Sequence, residues 1–228
     1  MNIVVFTGAG ISKESGIDTF RDGGIWDKYD PDFYATKKGW KQDREEVLSF
    51  YNKLRSMYKD SNPNEAHTMI SKLQDKHNVT VITQNIDNLH ERSGSKKVIH
   101  LHGEMTKAQS SLDPKIVYDW NKEINIGDKC EKGSQLRPHL VWFGENPNNI
   151  EQCYEALKNC DLLLIIGTSL SITYTISMLS DINEEKTSVI YIDPDPSMDL
   201  EGITHIDYIK EKATIGLKNI YEGLINDY

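Results

Sequence analysis

Gln84, Asn85, Asp87 and His102 are the side chains of this sequence best suited to reaction chemistry, and each stands just beyond an apolar run. In Thr83-Gln84-Asn85-Ile86-Asp87-Asn88-Leu89-His90, amides and a carboxylate crowd together and could read a carboxamide and sugar hydroxyls. His102 follows Lys97-Val98-Ile99-His100-Leu101 and abuts Gly103, where a ligand can approach. Histidine titrates near neutrality and can take a proton from a hydroxyl. Gly8-Ala9-Gly10 lets the backbone turn tightly, and Ile11-Ser12 can begin a helix whose free N–H groups favour an anion. A dinucleotide pyrophosphate is the usual guest of such a turn. Gly167-Thr168-Ser169 is a second small-residue turn able to hold ribose or phosphate. Asp193 ends a further apolar run, where a carboxylate can accept both hydroxyls of an adenosine ribose and would repel a 2′-phosphate, favouring NAD over NADP. Structural roles stay open at each position: a bare strand-to-helix turn at 8–10, a helix cap at Asn85 or Asp87, a packed histidine at 102, and a solvated turn aspartate at 193. Lys13 stands where G-x-G-x-x-G needs its third glycine.

Elements of alternating type must position these groups. Ile3-Val4-Val5-Phe6, Val79–Thr83, Lys97–Leu101, Pro138–Glu145, Asp161–Ile166 and Ser188–Ile192 read as strands. Helical periodicity covers residues 43–59 through Val47, Leu48, Tyr51, Leu54, Arg55 and Tyr58, and 64–76 through Ala66, Met69, Ile70 and Leu73, where His67 reads as a packed residue. Further helices are expected over 150–159, 172–181 and 211–226, and residues 22–29 read as a mobile loop able to close over a ligand. The alternation predicts an α/β fold, a doubly wound Rossmann-like parallel sheet with a small second lobe formed by insertions. The large lobe is expected at about 1–21, 76–103 and 138–228, and the small lobe at about 22–75 and 104–137, where the strand–helix rhythm is lost. A cleft is expected between the two lobes of a single domain, 1–228.

Bulk properties narrow the partners. With 26 basic and 35 acidic residues the formal charge is −9, which argues against nucleic acid or an anionic membrane surface and mildly favours a basic peptide. No apolar run approaches the roughly 20 residues needed to span a bilayer. The start of the chain lacks the marks of a secretion signal. Cys130, Cys153 and Cys160 are odd in number and form no C-x-x-C pair, as expected of a cytoplasmic, reducing compartment without a disulfide framework.

Taken together, Gly8–Ser12, Ser15-Gly16-Ile17 through Phe20-Arg21, Thr83–His90, His102-Gly103-Glu104, Val141–Glu145 and Gly167–Leu170 occur in the order of the sirtuins, and the chain resembles an NAD-dependent protein-lysine deacylase over nearly its whole length. The resemblance implies that an acylated lysine attacks the nicotinamide ribose of NAD, nicotinamide leaves, and an alkylimidate forms and collapses to free lysine and O-acyl-ADP-ribose. His102 matches the family's general base. Asn85 and Asp87 match the pair beside the nicotinamide amide, with Ile86 between them, and Gln84 matches a ribose ligand. Gly8, Ala9, Gly10, Ile11 and Ser12 match the first nucleotide loop, Gly167, Thr168 and Ser169 the second, Phe20 the ring over the reactive sugar, Arg21 the loop cation, and Ala213 the residue backing the adenine. Val141, Phe143, Gly144 and Glu145 resemble the substrate groove, where a peptide can pair as an added strand.

The departures from the family pattern carry their own expectations. Most sirtuins hold a structural zinc on four cysteines of the small lobe; here Cys130 alone lies there, with Ser110 and Ser111 near the place of a first ligand. Serine ligates zinc poorly, so no zinc or other metal is expected, and packing of Ile116, Val117, Tyr118, Trp120 and Ile126 must hold the lobe. Relatives that take succinyl or malonyl lysine carry Tyr-x-x-Arg in the 43–59 helix. Tyr51 is present, but Leu54 replaces the arginine, and Arg55 is rotated by about 100°. Acetyl or another uncharged acyl group is therefore expected. Asp18 and Tyr174 stand where prolines are common, and Asp193 where asparagine is usual. The rival readings are an ADP-ribosyltransferase or NAD hydrolase, and a non-catalytic NAD-sensing module; the target and the oligomeric state are not legible.

Overall fold

The computed structural model describes residues 1–20, 23–196, 203 and 205–226. In chain order the elements are β1 (Asn2–Thr7), α1 (Ala9–Lys13), α2 (Ile25–Lys28), α3 (Pro31–Tyr34), α4 (Lys37–Gln42), α5 (Arg44–Asp60), α6 (Glu65–Leu73), β2 (Asn78–Thr83), α7 (Leu89–Arg92), β3 (Val98–His100) and β4 (Gly103–Ser110). There follow β5 (Val117–Asp119), β6 (Leu136–Leu140), α8 (Ile150–Lys158), β7 (Leu162–Ile166), α9 (Thr173–Leu179), β8 (Ser188–Ile192), β9 (Ile206–Ile209) and α10 (Ala213–Asn226).

Six strands make a parallel sheet in the order β3-β2-β1-β7-β8-β9. Alternate side chains of β1 enter opposite layers, as a strand's period of two requires. Ile3 and Val5 pack with Ala66, Ile70 and Leu73 of α6 and Leu217 and Leu224 of α10. Val4 and Phe6 pack with Cys153 and Leu157 of α8 and Met178 and Leu179 of α9. The strands are thus covered on both faces, which explains why they read as unbroken apolar runs. The order reverses at β1, flanked by β2 on one side and β7 on the other. Sheets of this kind bind ligands outside the carboxyl ends of their strands at such a reversal. Gly8 stands there.

A second, antiparallel sheet of order β5-β4-β6 packs with α5 into a separate core that includes Tyr51, Leu54, Ala108, Ile124, Leu136 and Trp142. Asp43 caps α5 by accepting from the backbone N–H of Glu46 at 3.0 Å. Gly103 joins the two sheets: it follows His102, opens β4 and carries a φ of 84°, and a Cβ there would strike the carbonyl of His139.

Several expectations are corrected. The strand expected over 138–145 is β6, it ends at Leu140, and it joins the antiparallel sheet. Val141–Glu145 leave it because their backbone is held elsewhere: Val141 N–H donates to His102 O and Phe143 N–H to Ala35 O, both at 2.9 Å. Helix α6, within the stretch assigned to the small lobe, packs against the parallel sheet. A short helix, α2, interrupts the loop expected over 22–29, and β9 is an unforeseen edge strand.

Candidate active site

Strand β1 ends at Thr7 and β2 at Thr83, in register with one another and with Ile166 of β7 and His100 of β3. Four chain segments therefore leave the sheet side by side. Gly8 donates to Ile166 O at 3.1 Å, Gly10 to Gly167 O at 2.8 Å, and Gly167 to Ile192 O at 3.0 Å. The two glycine turns press backbone on backbone. A Cβ at Gly10 would sit 2.7 Å from the Cα of Gly167, and one at Gly8 2.6 Å from the Cβ of Thr168. Gly10→Ala must push the turns apart and is expected to weaken nucleotide binding by at least about tenfold, at a stability cost of about 1–3 kcal/mol; calorimetric titration with ADP-ribose beside a thermal melt separates the two effects.

Ser12 and the segment after β2 form one buried hydrogen-bonded cluster. Asn85 donates through Nδ2 to Gly8 O at 3.0 Å and to Ser12 Oγ at 3.2 Å; Ser12 Oγ donates to Asp87 Oδ2 at 2.9 Å. The other carboxylate oxygen of Asp87 accepts from Leu89 N–H at 3.0 Å. Burial raises the Asp87 carboxyl above its ordinary range, and the bonds from Leu89 and Ser12 oppose that rise. Ile86 is buried, and its carbonyl accepts from Met105 N–H at 2.8 Å, fastening this segment to β4.

His102 lies one residue past Leu101, where β3 has already ended. Its Nδ1 is 2.9 Å from Gln84 O, a group that only accepts, so Nδ1 carries the proton and Nε2 the lone pair. Burial pushes His102 down to about 4, against the lift from Gln84 O, so the ring is neutral at neutral pH. Its Nε2 meets the hydroxyl of Tyr174. Gln84 Oε1 accepts from Thr168 Oγ1 at 2.8 Å, which links the base to the second glycine turn. His100 is spent structurally: Nδ1 contacts Asn85 O at 3.0 Å and Nε2 contacts Glu91 Oε1 at 2.8 Å.

The remaining nucleotide candidates sit around this rim. Ala9 and Ile11 belong to α1, whose first turn no side chain caps. Phe20 is half-buried and packs on Trp26, with ring centroids 5.6 Å apart. Arg21 lies outside the described residues. Ser169 Oγ is 3.0 Å from Ser171 Oγ. Asp193, at the end of β8, accepts from Asp195 N–H at 2.9 Å. Ala213 is buried at the start of α10, where Thr214 donates to the Glu14 carboxylate from its N–H at 3.1 Å and its hydroxyl at 2.9 Å. An uncapped helix start, glycine turns without side-chain cover and a carboxylate at a strand end suit an adenine dinucleotide.

The substrate candidates divide. Phe143 is exposed, Val141 is half-buried, and Gly144 turns the chain with a φ of 82°. Glu145 is instead locked to Arg137, a residue that sequence reasoning missed: Nη2 reaches Oε1 at 2.8 Å and Oε2 at 2.9 Å, while the guanidinium lies 4.1 Å from the Trp142 ring centre. Tyr51 is buried and accepts from Trp142 Nε1 at 3.0 Å. Arg55 is buried too, donating to Met105 O at 3.0 Å and Asn52 Oδ1 at 2.9 Å and leaving Nη2 without a hydrogen-bond partner among the described residues. Where a zinc-binding lobe would gather thiolates, Ser134 Oγ is 2.7 Å from Ser110 Oγ and 3.1 Å from Cys130 Sγ. No cluster of three or more His, Cys, Asp or Glu suited to a metal occurs among the described residues.

The sequence model described as the Sir2 family matches residues 8–174. A protein of Bacteroides thetaiotaomicron called NAD-dependent protein deacylase is 43% identical over 231 residues, covering 98% of this chain and 98% of its own length. One of the same description from Helicobacter pylori strain J99 is 40% identical over 225 residues, covering 98% of this chain and 95% of its own. The solved structure of a Sir2 homolog–NAD complex superposes with a TM-score of 0.86 at 31% identity, over 99% of this chain and 90% of that one.

Proposed function

The chain belongs to the Sir2 family, and from that membership and the site's own chemistry we infer its reaction. It is an NAD-dependent protein-lysine deacylase that releases nicotinamide and transfers the acyl group to ADP-ribose. NAD, when bound, supplies a ribose carbon that carries nicotinamide as leaving group. The observation that bears most weight is a pair of hydrogen-bonded sets that meet at the Gln84–Asn85 peptide, one holding Gly8, Asn85, Ser12 and Asp87 and the other Thr168, Gln84 and His102.

In this reading Gly8–Ser12 and Gly167–Ser169 hold the phosphates and sugars, Asp193 the adenosine ribose, and Ala213 backs the adenine. Asn85 and Asp87 orient the carboxamide, and Phe20 with Arg21 covers the reactive sugar. His102, neutral and with its tautomer fixed, takes a proton from a ribose hydroxyl at Nε2. Val141, Phe143 and Gly144 receive the peptide, while Glu145 braces that segment from behind. The test is nicotinamide release from NAD with and without an acetyl-lysine peptide. Peptide-dependent release with free lysine is expected; release that ignores the peptide means an NAD hydrolase or ADP-ribosyltransferase, and no release means a sensing module.

Tyr51 and Arg55 are both engaged within the core, which supports an acetyl or other uncharged acyl group. On one peptide backbone, acetyl-lysine is expected to be turned over at least about tenfold faster than succinyl-lysine, the cost of desolvating an unpaired carboxylate. The opposite order would mean that Arg55 Nη2 finds its partner in the acyl group.

The serine–cysteine cluster supports a small lobe held without zinc, since hydroxyls are poor ligands for that ion. Elemental analysis is expected to find no stoichiometric zinc, and a chelator to leave the melting temperature unchanged. All three thiols are free, which supports a reducing, cytoplasmic setting. Among the described residues no helix is long and apolar enough to cross a membrane.

A further inference from the structure

Resting on the deacylase reading, the contact between Tyr174 and His102 bears on how the base is engaged. The tautomer of His102 leaves one lone pair, at Nε2, and the Tyr174 O–H is the donor that fills it. The two rings meet edge-on, with an interplanar angle of 87° and centroids 6.2 Å apart. Tyr174 is the second residue of α9, which starts four residues after Ser169. The segment that forms the second glycine turn therefore also delivers the tyrosine, while Thr168 of that turn reaches Gln84, the residue that orients the imidazole. Among the described residues, Gln84 O and the Tyr174 hydroxyl are the two polar contacts of the His102 ring, and no charged side chain bonds to it. Burial raises the Tyr174 phenol to about 12, so it stays an O–H donor across the working range.

We propose that Tyr174 is a positioning residue that caps the base: it occupies Nε2 of His102 in the substrate-free enzyme and must be displaced by a ribose hydroxyl before proton transfer. The exchange balances simply. The Tyr174 O–H leaves the imidazole lone pair and keeps its own proton; the ribose O–H takes its place; the ribose proton then moves to Nε2, leaving the electron pair on the ribose oxygen. This differs from a relay, in which the tyrosine would give its proton to the imidazole and take the ribose proton in return. In a cap the hydroxyl competes with substrate, whereas in a relay it is needed for turnover.

Tyr174→Phe keeps the ring and removes the hydroxyl. A neutral hydrogen bond that must be broken on binding implies that kcat/KM for NAD rises about two- to tenfold, with kcat changed by less than about twofold. In the enzyme without NAD or peptide, the imidazole ¹⁵N titration of His102 is expected to move up, because the neutral ring loses a donor at Nε2. Tyr174→Leu is expected to shift both readouts in the same direction and guards against an effect peculiar to phenylalanine. A tenfold or greater fall in kcat overturns the cap in favour of a relay. An unmoved His102 titration overturns it as well, since the hydroxyl would then not hold Nε2. The titration needs no turnover, so absence of peptide-dependent nicotinamide release in the unsubstituted protein defeats the deacylase reading and leaves this test standing.

Discussion

His102→Ala is expected to cut peptide deacylation by about 10²–10⁴-fold, the usual contribution of a positioned general base. The imidazole is half-buried, its Nδ1–H is fixed by Gln84 O, and partial loss of solvent keeps it neutral, so the group removed is a base held ready in one tautomer. The cleavage that frees nicotinamide does not itself require a proton to be taken from a ribose hydroxyl. Exchange of labelled nicotinamide into NAD, in the presence of acetyl-peptide, is therefore expected to persist at a measurable fraction of the unsubstituted rate. The split between the two assays is the diagnostic result; equal loss of both would mean that alanine has collapsed the pocket. A melting temperature within a few degrees of the parent is expected, because His102 makes only two polar contacts among the described residues.

The second large effect falls on stability. Arg137→Ala is expected to cost about 3–5 kcal/mol, read as a lowered urea midpoint, because it strands a mostly buried carboxylate. Arg137 is 5% exposed, and besides its two bonds to Glu145 it donates to Leu140 O at 3.1 Å. Lys37, 70% exposed and 3.3 Å from Glu145, is too well solvated to replace it. Arg137→Lys is expected to recover only part of the loss, since an ammonium cannot span both oxygens or stack on Trp142. The pH dependence has a definite sign. Burial would raise the Glu145 carboxyl, but the Arg137 guanidinium, the Trp142 N–H and the Lys37 ammonium together outweigh burial and hold it below its ordinary 4.5. The pair's contribution is thus complete above the ordinary carboxylate range and is lost as pH falls through the depressed value. A destabilisation under 1 kcal/mol would show that water or Lys37 solvates the stranded carboxylate.

The residues that were legible in the sequence share a physical reason. Ile3–Phe6, Val79–Thr83, Leu162–Ile166 and Ser188–Ile192 are interior strands covered on both faces, so their apolar runs are unbroken. Strand β9 was missed because Ile206-Asp207-Tyr208-Ile209 is a four-residue edge strand with no apolar run and no buried residue. Strand β4, Gly103–Ser110, was missed because Glu104, Thr106 and Lys107 are half-exposed and Gln109 and Ser110 are buried polar residues, so no apolar run marks it. Site residues were found where they cluster at strand ends, as Gln84, Asn85, Asp87 and His102 do. Arg137 escaped because its partner Glu145 lies across a turn, and the pairing of Tyr174 with His102 joins positions 72 apart. Local pattern has no access to such pairings.

Strand β1 sits in the middle of the sheet and is made before both of its neighbours. Its partner β2 begins at Asn78, and its other partner β7 at Leu162. During synthesis, then, the Ile3–Phe6 edge on the β7 side has no neighbour until Leu162–Ile166 have emerged. Pairing over such separations is slow, and an unpaired apolar edge invites association with other chains. Nascent protein is expected to depend on chaperones until that late strand arrives, and fragments ending before residue 162 to aggregate.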